Sequence, residues 1–320
     1  MMIRRQLSGI PRVITFPGQG QLIQPALLGQ LEPFHNRSKI SIPKVLRDRL
    51  FQGDPLEFLR SSANLQPSVV YTSLLILELI ASNGKPLEGS YLMGHSLGEL
   101  TCLIANGVIP SELGIHMAHS RGKFMEECCP DKNKYGMTAF IFKHAQGNLE
   151  IIKDRVSQYS SLAIANFNCD TQCVVSGELD ELATLTKQLK SDIKAKGTKL
   201  QVQLPFHNEI LADAKRRFRE LISTQCDIDK DKKLELPIVS NLTGELSFTH
   251  GEALDNFLED FTRPVLFSKG LQFMLDTDVS FVNIGPNAKV IQALARKMDT
   301  KGNLASNINL ETQQDLSQLY

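Results

Sequence analysis

The chain has no excess of either charge: 35 basic residues meet 35 acidic ones over 320 residues. Nucleic-acid-binding chains usually carry a basic surplus, so the balance speaks against that class. There is also no apolar run approaching the roughly 20 residues of a membrane-spanning helix. The longest, Ser73 to Ala81, is interrupted by Glu78 and reads as a core helix, so no membrane partner is expected. The six cysteines form no C-x-x-C pair and no zinc spacing. The expectation is free thiols in a reducing compartment and no metal site. Acidic residues are missing from the start of the chain, where Glu32 is the first, while residues 1–12 hold three arginines. With no apolar h-region, this end is not a secretory signal. Its Arg-rich composition suggests a mitochondrial presequence and a matrix location, against the alternative of a plain basic end on a cytosolic chain. Repeats and low-complexity segments are absent as well.

What remains is ordinary globular composition, 42% hydrophobic and 22% charged, long enough for one large α/β domain or two modest ones. Its most informative stretch is Gly94-His95-Ser96-Leu97-Gly98-Glu99. It contains a G-x-S-x-G pattern between a short apolar strand, Tyr91 to Met93, and an apolar helix, Leu97 to Ala105. Glycines without a Cβ allow a sharp turn that leaves a serine Oγ exposed. The free N–H groups of the following helix point at the same spot, where an oxyanion would form.

Around this elbow, strands alternate with helices. Arg12 to Phe16 is a strand, Pro67 to Ala81 a helix, and Ser111 to about Cys128 another helix with Ser111 as its N-cap. Such alternation implies a parallel sheet covered on both faces. The middle differs. Met137–Phe142, Asn148–Gln158, Leu162–Asn166, Gln172–Ser176, Glu178–Lys190 and Lys199–Leu204 read as βαββαβ, a ferredoxin-like unit. The expected organisation is a large α/β domain from residues 13–134 and 205–320, with an inserted subdomain at 135–204 and residues 1–12 as a flexible N-terminus. Beyond the insert, helices are expected at 209–222, 255–261 and 268–275, and strands at 236–239 and 279–284.

A serine nucleophile needs a base. Of seven histidines, His95 must leave the elbow in a different direction from Oγ, and His116 and His119 share one helix and read as local packing. His207 follows an apparent strand end at the subdomain boundary, a place where a rigid scaffold presents a loop residue. By position alone, His207 is as readily a structural histidine as a base.

Taken in order, Phe16-Pro17-Gly18-Gln19-Gly20, Gln66-Pro67, Gly94 to Glu99, Arg121-Gly122-Lys123, Phe206-His207 and Gly285-Pro286 resemble the malonyl-CoA:acyl carrier protein transacylase family. The resemblance runs from about Val13 to Lys297. It implies a hydrolase-like α/β domain with an inserted ferredoxin-like subdomain. It also implies malonyl transfer to a carrier-protein thiol for fatty acid synthesis. In this resemblance Ser96 is the acylated nucleophile and His207 the base, with the backbone N–H groups of Gln19 and Leu97 as the oxyanion hole. Arg121 binds the malonyl carboxylate, Gln66 lies beside the pocket, and Phe206 leaves no room for an α-branch. Where relatives often place a glutamine whose carbonyl holds the base, this chain has Asp260. Its carbonyl could serve unchanged, or its carboxylate could orient the imidazole as in a Ser-His-Asp triad. Malonyl-CoA and an acyl carrier protein are the expected partners, with coenzyme A thioester a substrate and no cofactor, and a monomer is expected. Lys187, Lys190, Lys194, Lys196 and Lys199, then Lys215, Arg216, Arg217 and Arg219, form two basic runs compatible with docking an acidic carrier. The elbow alone would equally suit an esterase or thioesterase of α/β-hydrolase type, although that fold expects Ser, acid, then His in chain order. A non-catalytic acyl-binding subunit is the remaining alternative.

Overall fold

The structure is a computed structural model that describes residues 11–20, 23–52, 55–82, 87–143, 147–277, 279–286, 288–299, 308–311 and 315. The presequence expectation therefore falls almost wholly outside the described residues. Arg12, the last residue of the segment expected to be flexible, lies in the first strand and is buried.

In chain order the elements are β1 (Arg12–Phe16), α1 (Pro25–His35), α2 (Lys44–Phe51), α3 (Pro55–Phe58), α4 (Ser62–Ser82), β2 (Tyr91–Gly94), α5 (Leu97–Ala105) and α6 (Ser111–Cys128). Then come β3 (Tyr135–Ile141), α7 (Asn148–Ser157), β4 (Ala163–Cys169), β5 (Gln172–Glu178), α8 (Leu179–Ile193) and β6 (Lys196–Lys199). The chain finishes with α9 (Ala212–Gln225), β7 (Lys233–Val239), β8 (Leu246–Thr249), α10 (His250–Glu259), α11 (Phe267–Leu275), β9 (Ser280–Ile284), α12 (Ala288–Met298) and β10 (Ile308–Leu310).

Six strands form one sheet in the order β10-β9-β1-β2-β7-β8, parallel except for the β7–β8 pair. Four strands form a second sheet in the order β4-β5-β3-β6, with every pair antiparallel. Its strands all lie between residues 135 and 199, whereas the larger sheet draws strands from both sides of that segment. This is the mixed α/β architecture expected, with a ferredoxin-like βαββαβ order in the smaller layer. Helix α4 is long and apolar enough to cross a membrane by length and composition, yet 83% of its apolar window is buried inside the protein. It is the central core helix, lined by Val69, Val70, Leu74 and Ile76.

Several boundaries differ from expectation, each for a local reason. Helix α4 begins five residues before Pro67, although proline lacks the N–H that Ala63 O would accept four residues earlier. That carbonyl instead accepts a hydrogen bond from His119 Nδ1 at 2.7 Å, which gives His119 the local packing role expected of it. Helix α6 has Pro110 as its N-cap, so Ser111 is its first helical residue and caps nothing with its side chain. The strand expected at Lys199–Leu204 is displaced to Lys196–Lys199. Leu200 N still donates to Met137 O, but beyond it Leu200, Val202 and Leu204 turn their alternating apolar side chains onto the main core. The chain thus leaves one sheet and carries His207 to the other. Helix α10 starts at His250 and not at residue 255, because Thr249 Oγ1 accepts from Glu252 N while Glu252 Oε2 accepts from Phe248 N. This reciprocal arrangement is close to a capping box. Strands β8 and β10 and helix α12 were not anticipated at all.

Candidate active site

Three neighbouring parallel strands, β1, β2 and β7, end on the same side of the larger sheet, where ligands of open α/β sheets bind. Gln19 follows β1, Ser96 follows β2, and Asn241 follows β7. The turn between β2 and α5 is possible only with glycine at two positions. A Cβ on Gly94 would sit 2.0 Å from Gly98 C, and one on Gly98 would sit 2.4 Å from Phe16 O. Ser96 pays for the tight turn with φ +52°, ψ −110°, a strained conformation for a side-chain-bearing residue. Such strain costs on the order of 1–3 kcal/mol and persists only where the surroundings fix it. Here Asn241 fixes it: Asn241 Oδ1 accepts from Ser96 N at 3.2 Å, and Asn241 Nδ2 donates to Glu99 Oε2 at 2.5 Å. Burial pushes Glu99 up to about 7, partly offset by the bonds from Asn241.

Ser96 Oγ lies 2.7 Å from His207 Nε2. His207 also has a positive φ, +57°, and is held from both sides. Its Nδ1 donates to Asp260 O at 2.7 Å, a carbonyl at the C-terminal end of α10 with no partner inside the helix. The adjacent Asn208 staples the loop to the ferredoxin-like layer, donating from Nδ2 to Ser161 O and Ser176 O while its Oδ1 accepts from Ile210 N. Burial drives the imidazole down to about 3; the Asp260 carbonyl opposes this, and Arg121 and His95 reinforce it. The ring is therefore neutral at ordinary pH and free to accept the hydroxyl proton. The two alternatives for Asp260 separate here. Its carbonyl holds the base, while Oδ1 is 3.5 Å from Nδ1 and neither carboxyl oxygen has a hydrogen-bond partner.

Leu97 follows Ser96 directly, and Gln19 follows Gly18 in the turn after β1, where a Cβ on Gly18 would sit 2.7 Å from His95 O. Neither backbone N–H donates to a described residue, which leaves both available to an oxyanion. The Gln19 side chain is anchored, with Nε2 donating to Ser62 Oγ at 2.8 Å and Oε1 accepting from Gln66 Nε2 at 3.2 Å. Gln66 lies within α4, not at its end, and its Oε1 accepts from Arg121 Nη1 at 2.9 Å. Arg121 is almost wholly buried, with its guanidinium carbon 4.6 Å from the Phe261 ring centroid and its Nε unpartnered. Burial lowers it to about 10, against the pull of Asp260. Gly122 explains how a buried arginine reaches this place. A Cβ there would lie 2.4 Å from Ser62 O, so its absence lets α6 close on the start of α4. Phe206 is buried in the main core, immediately before His207. His95 is turned away, as expected, with Nε2 at 3.2 Å from Asn168 Oδ1 and its ring edge-on to Phe267.

An acyl transferase domain model matches residues 31–315. The chain belongs to the acyl transferase domain family. This acyl transferase is 28% identical over 258 residues to the malonyl CoA-acyl carrier protein transacylase of Bacillus subtilis strain 168, covering 80% of this chain and 78% of the relative. It is 27% identical over 307 residues to the enzyme of the same name from Staphylococcus aureus strain MSSA476, covering 93% and 96%. The crystal structure of the Clostridium perfringens malonyl CoA-acyl carrier protein transacylase superposes with a TM-score of 0.81 at 26% identity, over 96% of this chain and 95% of that one. The Xanthomonas oryzae enzyme shares the fold, with a TM-score of 0.82 at 23% identity over 98% of each chain.

Asn208, Asn241 and Asn168 were not singled out in the sequence. All three are buried amides: Asn208 follows His207, Asn241 accepts from Ser96 N, and Asn168 meets His95. Asn241 carried the same signal that pointed to His207, a polar residue just past a strand end. The two basic runs also part company. Lys215, Arg216, Arg217 and Arg219 on α9 are paired with Glu259, Asp213, Glu127 and Glu259. Lys187, Lys190, Lys194, Lys196 and Lys199 are exposed, with no ion pair among the described residues.

Proposed function

We propose that the protein transfers a malonyl group from malonyl-CoA to the phosphopantetheine thiol of an acyl carrier protein, through a malonyl ester on Ser96, for fatty acid synthesis. The observation that carries this reading is the 2.7 Å Ser96 Oγ–His207 Nε2 contact in a site that also holds a buried arginine. His207 Nε2 takes the hydroxyl proton as Oγ attacks the thioester carbonyl. The N–H groups of Gln19 and Leu97 stabilise the oxyanion. As the intermediate collapses, the C–S bond breaks and the proton passes from His207 to the departing coenzyme A thiolate. The carrier thiol then gives its proton to His207, attacks the ester, and Ser96 Oγ recovers its proton. The negative end of α10 at Asp260 O favours the transient imidazolium. A planar guanidinium in a dry pocket suits a carboxylate through two parallel hydrogen bonds, which is the role proposed for Arg121 with Gln66 beside it. Phe206 restricts branching at the α-carbon.

The chain's own side chains and the activated thioester suffice for this chemistry, so no cofactor is invoked. The unpaired lysines of α8 and β6 form the surface proposed for the acidic carrier. The protein is proposed to act as a monomer, read from light scattering, and in the mitochondrial matrix, read by imaging the tagged full chain. The reaction itself is tested by supplying malonyl-CoA and a phosphopantetheinylated carrier protein. Malonyl-carrier and free coenzyme A are expected in equal amounts. Release of free malonate instead would make the protein a thioesterase and overturn the proposal.

A further inference from the structure

Asp260 brings a second carboxyl group into a pocket built around one guanidinium. Its side chain is 1% exposed and both carboxyl oxygens lack a hydrogen-bond partner. Its charged surroundings come from every element packed on it. Arg121 on α6 attracts its ionised form, Glu99 on α5 repels it, and His207 lies 3.5 Å away on the loop after β6. Along its own segment Glu259 is engaged with Lys215 and Arg219, outside the pocket. Phe261, the next residue, lies against the Arg121 guanidinium, so the segment bearing Asp260 is the wall behind that cation. Arg121 retains an unpartnered Nε and a single side-chain hydrogen bond, to Gln66. One buried positive charge can compensate one negative charge well, and a second carboxylate in the same pocket is then left without a partner.

We propose that Asp260 is a specificity-determining residue whose protonation decides how strongly the pocket prefers a charged acyl group. As a neutral acid it leaves Arg121 to the carboxylate of the acyl chain. As a carboxylate it compensates Arg121 itself, and the preference shifts toward uncharged acyl groups such as acetyl. Burial, with Glu99 adding to it, holds the proton on Asp260 well above the usual carboxylate range, against the pull of Arg121. This inference rests on the malonyl reading above. It concerns the side chain alone, since the carbonyl of the same residue holds His207 whatever the side chain.

The test is the ratio of kcat/KM for malonyl-CoA to that for acetyl-CoA, measured with the full chain between pH 5.5 and 8.5. Taking the ratio removes the titration of groups that serve both substrates, and the malonyl carboxylate stays ionised throughout. The ratio is expected to fall about tenfold as pH rises, the scale of one added like charge in a buried pocket. In Asp260→Asn, which cannot ionise, the ratio is expected to stay high and flat. A wild-type ratio that does not change with pH, or one whose slope survives in Asp260→Asn, overturns the inference. A variant that slows both substrates equally and keeps the slope shows a merely structural role. Should Asp260→Asn fail to fold, proton uptake by the wild-type protein decides. At pH 8.5 malonylation is expected to take up more protons than acetylation, because coenzyme A release contributes equally to both, and equal uptake overturns the inference. Absence of any malonyl transfer at every pH would instead refute the malonyl reading itself.

Discussion

The two ends of the buried site are built differently. At the reacting end the groups that hold the nucleophile and base are satisfied: Ser96 Oγ on His207, His207 Nδ1 on Asp260 O, and Ser96 N on Asn241. At the recognition end, Arg121 Nε and both carboxyl oxygens of Asp260 have no partner. A satisfied network in a dry environment is rigid, which suits proton transfer over a fixed distance. An unsatisfied cluster of buried charge is costly until an ion arrives to complete it. In the proposed reaction, the first end carries out the chemistry and the second selects the acyl group.

Removing either reacting atom has the largest effect. Ser96→Ala and His207→Ala are each expected to cut acyl transfer by about 10⁴-fold or more, for malonyl and acetyl donors alike, in steady-state assays. Selective loss of one donor would merge the two ends into one. Arg121→Ala comes next, with malonyl transfer reduced about 100-fold by the loss of charge-assisted hydrogen bonds. Acetyl transfer should stay within about threefold, and equal losses would mean that the guanidinium does not read the carboxylate. Gly122→Ala, which forces a Cβ against the Ser62 backbone, is expected to cost about 1–3 kcal/mol of stability in chemical denaturation. It should harm malonyl transfer more than acetyl transfer, since it moves the helix that carries Arg121.

The pH dependence is subtler. A histidine that ionised near its ordinary value of about 6.5 would give an acid limb there. With His207 held near 3 by burial, kcat/KM for acetyl-CoA should change less than about threefold between pH 7 and 5. A full limb at pH 6.5 would show that water reaches the imidazole. The same shift bears on folding: the unfolded chain binds the proton that the folded His207 refuses, so this residue's contribution to stability declines as pH falls from about 6.5 toward 3. The smallest effect is expected from reversing Lys187, Lys190 and Lys194 to glutamate. The carrier-dependent step should weaken about three- to tenfold in KM while malonylation by malonyl-CoA is unchanged.

Much of the reacting end was legible because its constraints are local. A strand, two glycines and a helix start within nine residues define the elbow, and the β1 turn at Gln19 is equally compact. The ferredoxin-like order was readable from alternation, yet β6 was misplaced because Leu200, Val202 and Leu204 alternate for a different neighbour, the main core. The recognition end was legible only through family resemblance. An arginine in mid-helix reads as a surface charge until Gly122 is seen to admit the backbone of Ser62. Asn208 and Asn241 escaped notice because their partners, Ser176 and Glu99, lie far away in sequence. Whether Asp260 acts by carbonyl or carboxylate was undecidable from composition, since it depends on how α10 ends.

The central claim is that Ser96 carries the acyl group between donor and carrier. Its most direct measurement is peptide-resolved mass spectrometry of protein quenched with malonyl-CoA, before and after adding phosphopantetheinylated carrier. A malonyl ester is expected on the peptide containing Ser96, disappearing as the carrier gains it. A malonyl group on any other residue, or one that leaves Ser96 without reaching the carrier, would contradict it.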